Sequence, residues 1–137
     1  MANALFTAYK NRILGGNANS FIDWDADTIK VILIDTADDT PVPATDDFLD
    51  DILGAARVAT ATITSVTITA GVIDAADTTF TSVTGDQSEA LVIYKDTGVE
   101  GTSPLAVYFD TFSSGMPVTP NGGNIVIAWN ASGIFSV

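Results

Sequence analysis

The chain has 137 residues, of which 47% are apolar, 17 are acidic and 5 are basic, and it contains neither histidine nor cysteine. Histidine is the usual general base near neutral pH, and histidine and cysteine are the usual ligands of transition metals, so the composition excludes most enzyme classes. The net charge of −12 argues against nucleic acid and anionic membrane surfaces as partners, and we predict no catalytic residue, no metal and no cofactor.

Residues 3–14 have the apolar spacing of a short amphipathic helix. Leu5 and Tyr9 are four residues apart, and an isoleucine follows after four more, so all three share one helical face. Asn3 is a suitable N-cap, and the two glycines at 15–16 favour the end of a helix. We therefore predict an N-terminal helix over 3–14.

The N-terminal segment, residues 1–16, carries two of the five positive charges of the chain, Lys10 and Arg12. Cations near the end of a helix complement its dipole, which is the simplest interpretation of both residues. Terminal segments are also well placed to reach a neighbour, so the alternative is a contact with another subunit. We predict that residues 17–137 form a β-sandwich domain and that the N-terminal segment contacts a partner. The predicted contact residues are Leu5, Phe6, Tyr9, Lys10 and Arg12.

A long apolar run at 28–35 predicts the first strand of the domain. Its second half is apolar on both faces, which indicates a central strand that is covered on both sides. An acidic loop with two prolines follows at 36–45, and residues 46–52 have an apolar face with aspartates in the first turn. We therefore predict a short inserted helix over 46–52.

The remainder of the chain consists of short segments rich in threonine, valine and isoleucine, separated by turn residues. This spacing is typical of an antiparallel sandwich or jelly roll. We predict a mostly β fold, an antiparallel β-sandwich or jelly roll with a short N-terminal helix and one short inserted helix. The further predicted strands cover residues 57–64, 66–69, 72–73, 78–84, 89–96, 104–111, 124–130 and 134–137.

Asp23, Asp25 and Asp27 alternate in the way that opens a calcium-binding EF-hand loop. The continuation departs from that motif, because Thr28 occupies the glycine position and Ile34 occupies the position of the bidentate glutamate. A strand is also predicted where the loop should continue. We interpret the three aspartates as a turn, and a weak cation site is the alternative.

Residues 35–51 hold seven aspartates and no basic residue. Aspartate favours turns and helix caps, so a solvated acidic loop with a capped short helix is the simpler interpretation. The alternative is an acidic docking surface for a basic patch on a partner, whose binding high salt should weaken.

Three parts of the sequence carry a resemblance to a known group of proteins. They are residues 27–38 (DTIKVILIDTAD), residues 47–52 with 56–60 (DFLDDI and ARVAT), and residues 84–98 with 117–123 (TGDQSEALVIYKDTG and PVTPNGG). In combination they resemble a family of small structural proteins from tailed bacteriophages. The resemblance spans nearly the whole chain, and residues 84–98 are its most specific part.

The resemblance implies a structural role in a virion. In some phages, β-sandwich or jelly-roll proteins of this size are capsid cement (decoration) proteins, which bind outside the lattice of the major capsid protein and stiffen the head. The implied partners are the major capsid protein and copies of the chain itself, as a dimer or trimer, on the outer surface of the capsid. No catalytic or binding residue is carried over from the family.

Two other roles stay open from the sequence. One is a tail or baseplate component of the same virion, because small β-sandwiches also serve there. The other is a carbohydrate-binding sandwich, in which aromatic side chains stack on sugars. The candidate stacking residues are Trp24, Trp129, Tyr94 and Tyr108.

Overall fold

The computed structural model describes residues 3–16, 21–110 and 115–137. Within these residues the chain forms ten strands and one α-helix, and all strand pairs are antiparallel, so the predicted mostly β fold is confirmed. The strands form three sheets in a sandwich-like arrangement. The elements are β1 (Ala4–Leu5), α1 (Thr7–Ile13), β2 (Ile29–Ile34), β3 (Arg57–Thr62), β4 (Thr67–Thr69), β5 (Val72–Asp74), β6 (Thr78–Phe80), β7 (Ala90–Lys95), β8 (Leu105–Phe109), β9 (Ile125–Ile127) and β10 (Phe135–Ser136).

The largest sheet has five strands in the order β1-β8-β7-β2-β3. Residues 31–34 of β2 are fully buried, although successive side chains of a strand point to opposite faces. The neighbouring strands β7 and β8 are buried in the same way along most of their length. Both faces of the sheet centre are therefore covered, as predicted for the run at 28–35.

The two smaller sheets are β10-β5-β4 and β6-β9. In the first of them, Ile73 of β5 pairs in register with Ile68 of β4 and with Phe135 of β10. Residues directly opposite each other in a sheet share a face, so these three side chains form one row across it. β4 and β10 are the edge strands of this sheet within the described residues.

The predicted start of the N-terminal helix is wrong. Ala4–Leu5 form β1 and pair with β8, and α1 begins only at Thr7. Asn3 is therefore not the N-cap, and the residue before the helix instead donates its backbone N–H to the carbonyl of Ala106 at 3.0 Å. Ala4 and Leu5 pair with the edge of β8 instead of extending the helix. The four-residue apolar spacing in the sequence does not show that this strand pairing is available. Ala4 and Leu5 are thus part of the main sheet.

The predicted inserted helix over 46–52 is shorter than expected. The structure forms a single 3-10 turn at Leu49–Asp51. The carboxylate of Asp51 accepts hydrogen bonds from the backbone N–H groups of Asp47 at 2.7 Å and Phe48 at 3.2 Å. Aspartate side chains that bond to nearby backbone groups compete with regular helix, so the segment closes as a tight capped turn.

The other predicted strands each contain or overlap an observed strand. The observed strands are shorter than predicted, except β5, which extends one residue beyond the predicted 72–73. The region 57–64 contains β3, and 78–84 contains only the three residues of β6. The region 104–111 contains β8, and its last residue lies outside the described part of the chain. Within the described residues, the structure has no apolar helix of the length that crossing a membrane requires.

Candidate functional site

Three of the five predicted contact residues face the interior of the domain. Phe6 is fully buried, and Tyr9 and Arg12 are nearly so. The hydroxyl oxygen of Tyr9 accepts a hydrogen bond of 2.7 Å from the indole N–H of Trp24. These side chains therefore attach the N-terminal segment to its own domain. Of the other two predicted residues, Leu5 in β1 is partly buried and Lys10 in α1 is exposed.

Arg12 is a buried cation with incomplete hydrogen bonding. Its Nη2 donates to the carboxylate of Asp47, and its guanidinium lies 5.0 Å from the centre of the Phe48 ring. Its Nε and Nη1 have no hydrogen-bond partner. Buried polar groups normally have hydrogen-bond partners, so these two unpaired donors are unusual.

An apolar groove lies between α1, the segment 21–24 and the sheet of β4, β5 and β10. Its floor is the row of Ile68, Ile73 and Phe135 that crosses this sheet. Residues of α1, Arg12 among them, and residues of 21–24 form its walls. The cavity measures about 270 Å³. This volume lies at the lower end of the range of about 300–1,000 Å³ that is typical of ligand pockets.

A cluster of three aromatic rings holds the walls of the apolar groove to its floor. Tyr9 from α1, Trp24 from the segment 21–24 and Phe135 from β10 meet edge to face, with ring centres 5.1–6.2 Å apart. Such contacts add to the stabilisation that burial of the rings already gives. The shape of the apolar groove is therefore set by core packing.

The rim of the apolar groove leaves large apolar side chains in contact with solvent. Ile13 and Phe21 of the walls are 43% and 59% exposed, and Ile68 at the edge of the floor is 51% exposed. Val137, at the end of the chain, is 72% exposed. Contiguous exposed apolar surface of this kind is typical of interaction sites.

The three aspartates at 23–27 form a turn, as the sequence predicts, and Asp23 lines the apolar groove. The Asp27 carboxylate accepts the backbone N–H of Asp23 at 2.8 Å, and Lys95 pairs with Asp27 at 2.9 Å. Lys95 also donates to the carbonyl of Phe21 at 3.0 Å. A side-chain hydrogen bond with Asp25 is the main cause that raises the pKa of Asp23, so these two exposed carboxyl groups lie side by side at the rim.

The acidic loop at 35–51 uses carboxylates to hold its own backbone. The Asp39 side chain accepts the N–H of Leu53 at 2.8 Å, and the Asp46 side chain accepts the N–H of Val42 at 2.7 Å. Burial is the main cause that raises the pKa of Asp46. These bonds give several of the aspartates a structural use and do not depend on a partner.

Within the described residues, the one group of three carboxylates with oxygens within 4.8 Å of one another is Asp35, Asp38 and Asp86. The three aspartates of the turn at 23–27 do not form such a group. Asp35 already accepts the backbone N–H of Ala37 at 2.8 Å. Exposed acidic groups often gather without an ion, so we assign no ligand to this cluster.

The aromatic residues considered for sugar stacking are buried. Trp24 and Tyr94 are each 5% exposed, Trp129 is 7% exposed and Tyr108 is not exposed at all. Burial raises the pKa values of Tyr94 and Tyr108 to about 12. None of the four rings offers a face on which a sugar could stack.

Sequence reasoning missed the exposed apolar residues of the groove. Phe21, Ile68 and Val137 come from distant parts of the chain, and only the fold brings them together. One signal was present at Ile68, which lies between two threonines in a short strand. That alternation puts the isoleucine on one face, but it does not say whether that face is covered.

Comparison with known proteins supplies no relative, since neither a protein-family model nor a curated protein matches the sequence.

Proposed function

We propose that the chain is a structural protein of a tailed-bacteriophage virion and acts as a capsid cement (decoration) protein. It binds the outer surface of the head, on the lattice of the major capsid protein, and associates with copies of itself as a dimer or trimer. The resemblance of residues 84–98 and their companion segments supports the phage assignment. The same resemblance is compatible with a tail or baseplate position.

The observation that carries the binding role is the apolar rim of the groove on an otherwise acidic domain. Ile13, Phe21 and Ile68 expose apolar surface there, whereas the domain as a whole has a net charge of −12. Burial of apolar surface is the main favourable term in most protein association. The remaining negative surface favours the solubility of unbound protein.

A cement role requires only modest affinity from each copy. Burial of apolar area contributes about 25 cal/mol for each Å², so a few exposed side chains give a few kcal/mol. Copies that also touch each other on a lattice bind by avidity, because each occupied site raises the effective concentration at the next. Stiffening of the head then follows from bridging neighbouring capsid subunits.

The direct test compares heads that contain the protein with heads from a phage in which its gene is deleted. We expect the heads without it to release DNA at a lower temperature, and we expect purified protein to restore the original temperature when it is added back. Protein that has been heat-denatured and clarified serves as the control. Equal release temperatures for the two kinds of heads would contradict a cement role.

The position on the virion is tested separately with labelled protein. Electron microscopy of the repaired particles should show the label over the whole head surface. Label confined to the tail or its tip would move the protein to the tail or baseplate, and the cement assignment would be lost.

A further inference from the structure

We propose that the apolar groove is the surface through which the chain docks on its partner. The inferred occupant is a protein segment that carries a large apolar side chain next to a lysine or arginine. This inference rests on the proposed function, because it takes the capsid lattice as the source of that segment. It goes further by naming the docking surface and the chemistry that it recognises.

The composition of the groove indicates that the docked segment carries a large apolar side chain. A row of side chains across the sheet of β4, β5 and β10 forms the floor, and it ends at Ile68, which is half exposed. Phe21 and Ile13 stand at the rim, and both are more than two-fifths exposed. An inserted apolar side chain would remove water from all three of these residues at once.

Charge complementarity at the rim indicates that the docked segment also carries a lysine or arginine. Asp23 and Asp25 are exposed there, and no described lysine or arginine lies within ion-pair distance of either. Lys95 is engaged by Asp27. Arg12 is engaged by a different carboxylate. A cation brought by the partner would meet two carboxylates without a competing internal charge, which favours association and sets orientation.

Arg12 lines the groove without setting the charge of its occupant. The ion pair with Asp47 already neutralises its charge, so the wall does not require an anion. Its unpaired Nε and Nη1 are shielded from solvent, so a docked segment would not reach them.

A second copy of the chain is the less favoured occupant. Each copy has a net charge of −12, and the rim of the groove is itself acidic, so charge opposes a second copy as the occupant of this groove. A partner that supplies positive charge is attracted by the same negative surface.

The apolar contact is tested by measuring the binding of variants to heads that lack the protein. The variant is Ile68→Asp, and the matched control is Val126→Asp. Both residues are the central residue of a three-residue strand, and they are 51% and 53% exposed, but only Ile68 lines the groove. We expect Ile68→Asp to weaken binding by at least about tenfold and Val126→Asp to leave it unchanged.

The contact with a basic residue of the partner is tested by neutralising the two exposed carboxylates of the rim. The double variant Asp23→Asn with Asp25→Asn should weaken binding about three- to tenfold at low salt, and the difference should shrink at high salt. The control is the double variant Asp50→Asn with Asp86→Asn, which removes two exposed carboxylates elsewhere. If the control lost affinity and the rim variant did not, the docking surface would lie elsewhere and the inference would be overturned.

The failure of the inference can be told apart from the failure of the proposed function. Wild-type protein that does not bind the heads contradicts the function and, with it, the inference. Wild-type protein and Ile68→Asp that bind equally well leave the function intact and overturn the inference. Circular dichroism and melting curves of each variant establish that the fold is retained.

The occupant can be identified directly, because the chain has no cysteine of its own. A photo-crosslinker attached to the variant Ile68→Cys should capture a capsid-protein peptide with a large apolar residue and a lysine or arginine close by. The variant Val126→Cys, labelled in the same way, should capture none. Capture of a peptide from a second copy of this chain would contradict the inferred occupant.

Discussion

At the scale of single residues, the ion pair of Lys30 and Asp96 links folding to pH. Lys30 Nζ lies 2.7 Å from the Asp96 carboxylate, which also accepts the backbone N–H of Gly98 at 2.9 Å. The hydrogen bond from Lys30 is the main cause that lowers the pKa of Asp96 from its ordinary value of 3.8. A lowered pKa means that folding favours the charged form. Its stabilising contribution is therefore present above pH 4 or so and is lost as the pH falls through the folded-state pKa.

The variant Asp96→Asn should show this linkage. We expect it to be less stable than the wild type at pH 7 by up to about 1 kcal/mol, with the difference shrinking below about pH 4. Urea unfolding at several pH values measures the effect, and the exposed Asp50→Asn serves as the control. A difference that stays constant down to pH 2 or so would contradict the assigned role of the ion pair.

Gly133 is a residue that the turn before β10 requires. Its φ of +108° is unfavourable for other residues, and an added Cβ would lie 3.0 Å from the carbonyl oxygen of Ile73 and still closer to the side chain of Val72. Gly98 also has a positive φ, of +85°, but an added Cβ there meets nothing within 4 Å. Alanine at Gly98 would therefore cost only the unfavourable backbone conformation, whereas alanine at Gly133 would add a steric clash.

We expect Gly98→Ala to lower the free energy of unfolding by about 1 kcal/mol and Gly133→Ala to lower it by about 3 kcal/mol. Thermal or denaturant unfolding of both variants measures the difference. Equal losses would show that the turn before β10 has room to adjust.

The sequence was least informative about the direction in which single side chains point. The spacing of Leu5, Tyr9 and Ile13 predicted one buried helical face, but Leu5 lies in β1 and Ile13 is 43% exposed. The helix instead buries Tyr9 and Arg12 against its own domain. The interpretation of the aspartates at 23–27 as a turn succeeded, because departures from the calcium motif could be read residue by residue.

At the scale of secondary structure, the fold depends on β2 at the centre of the five-stranded sheet. Leu33 is fully buried and pairs with Leu91 of β7 and Ala59 of β3. We expect Leu33→Ala to destabilise the domain by about 3 kcal/mol, through the lost burial and the cavity that remains. Val126→Ala, at an exposed position, should change the stability by less than about 0.5 kcal/mol. Similar losses in denaturant unfolding for the two variants would contradict the assigned core.

Elements could be predicted from the sequence where the burial signal is strong and continuous. β2 and β7 each consist of six residues that are almost entirely buried, and their apolar runs are plain in the sequence. β1 has two residues, and pairing with β8 alone makes it a strand. The 3-10 turn at Leu49–Asp51 replaced a predicted helix because carboxylate caps outcompeted it. The apolar groove was not predictable, since its floor and walls come from segments far apart in the chain.

At the scale of the whole molecule, the net charge of −12 is the dominant electrostatic feature. Self-repulsion of this size opposes the folded state, while the described ion pairs that salt would weaken are few. We expect the melting temperature to rise between about 0.01 M and 0.15 M NaCl, because the screening length falls from about 30 Å to about 8 Å. Differential scanning fluorimetry measures this, with the Lys30→Gln variant as a more acidic comparison that should respond more steeply. A melting temperature that falls over this range would show that the ion pairs outweigh the repulsion.

The central claim is that this acidic β domain coats a phage head in many copies through one apolar groove. The most direct test is the number of copies of the chain relative to the major capsid protein in purified virions, measured by quantitative mass spectrometry. We predict a ratio of one, or a simple fraction of one such as a half or a third. A ratio of a few per cent, or absence of the chain from the virion, would contradict it.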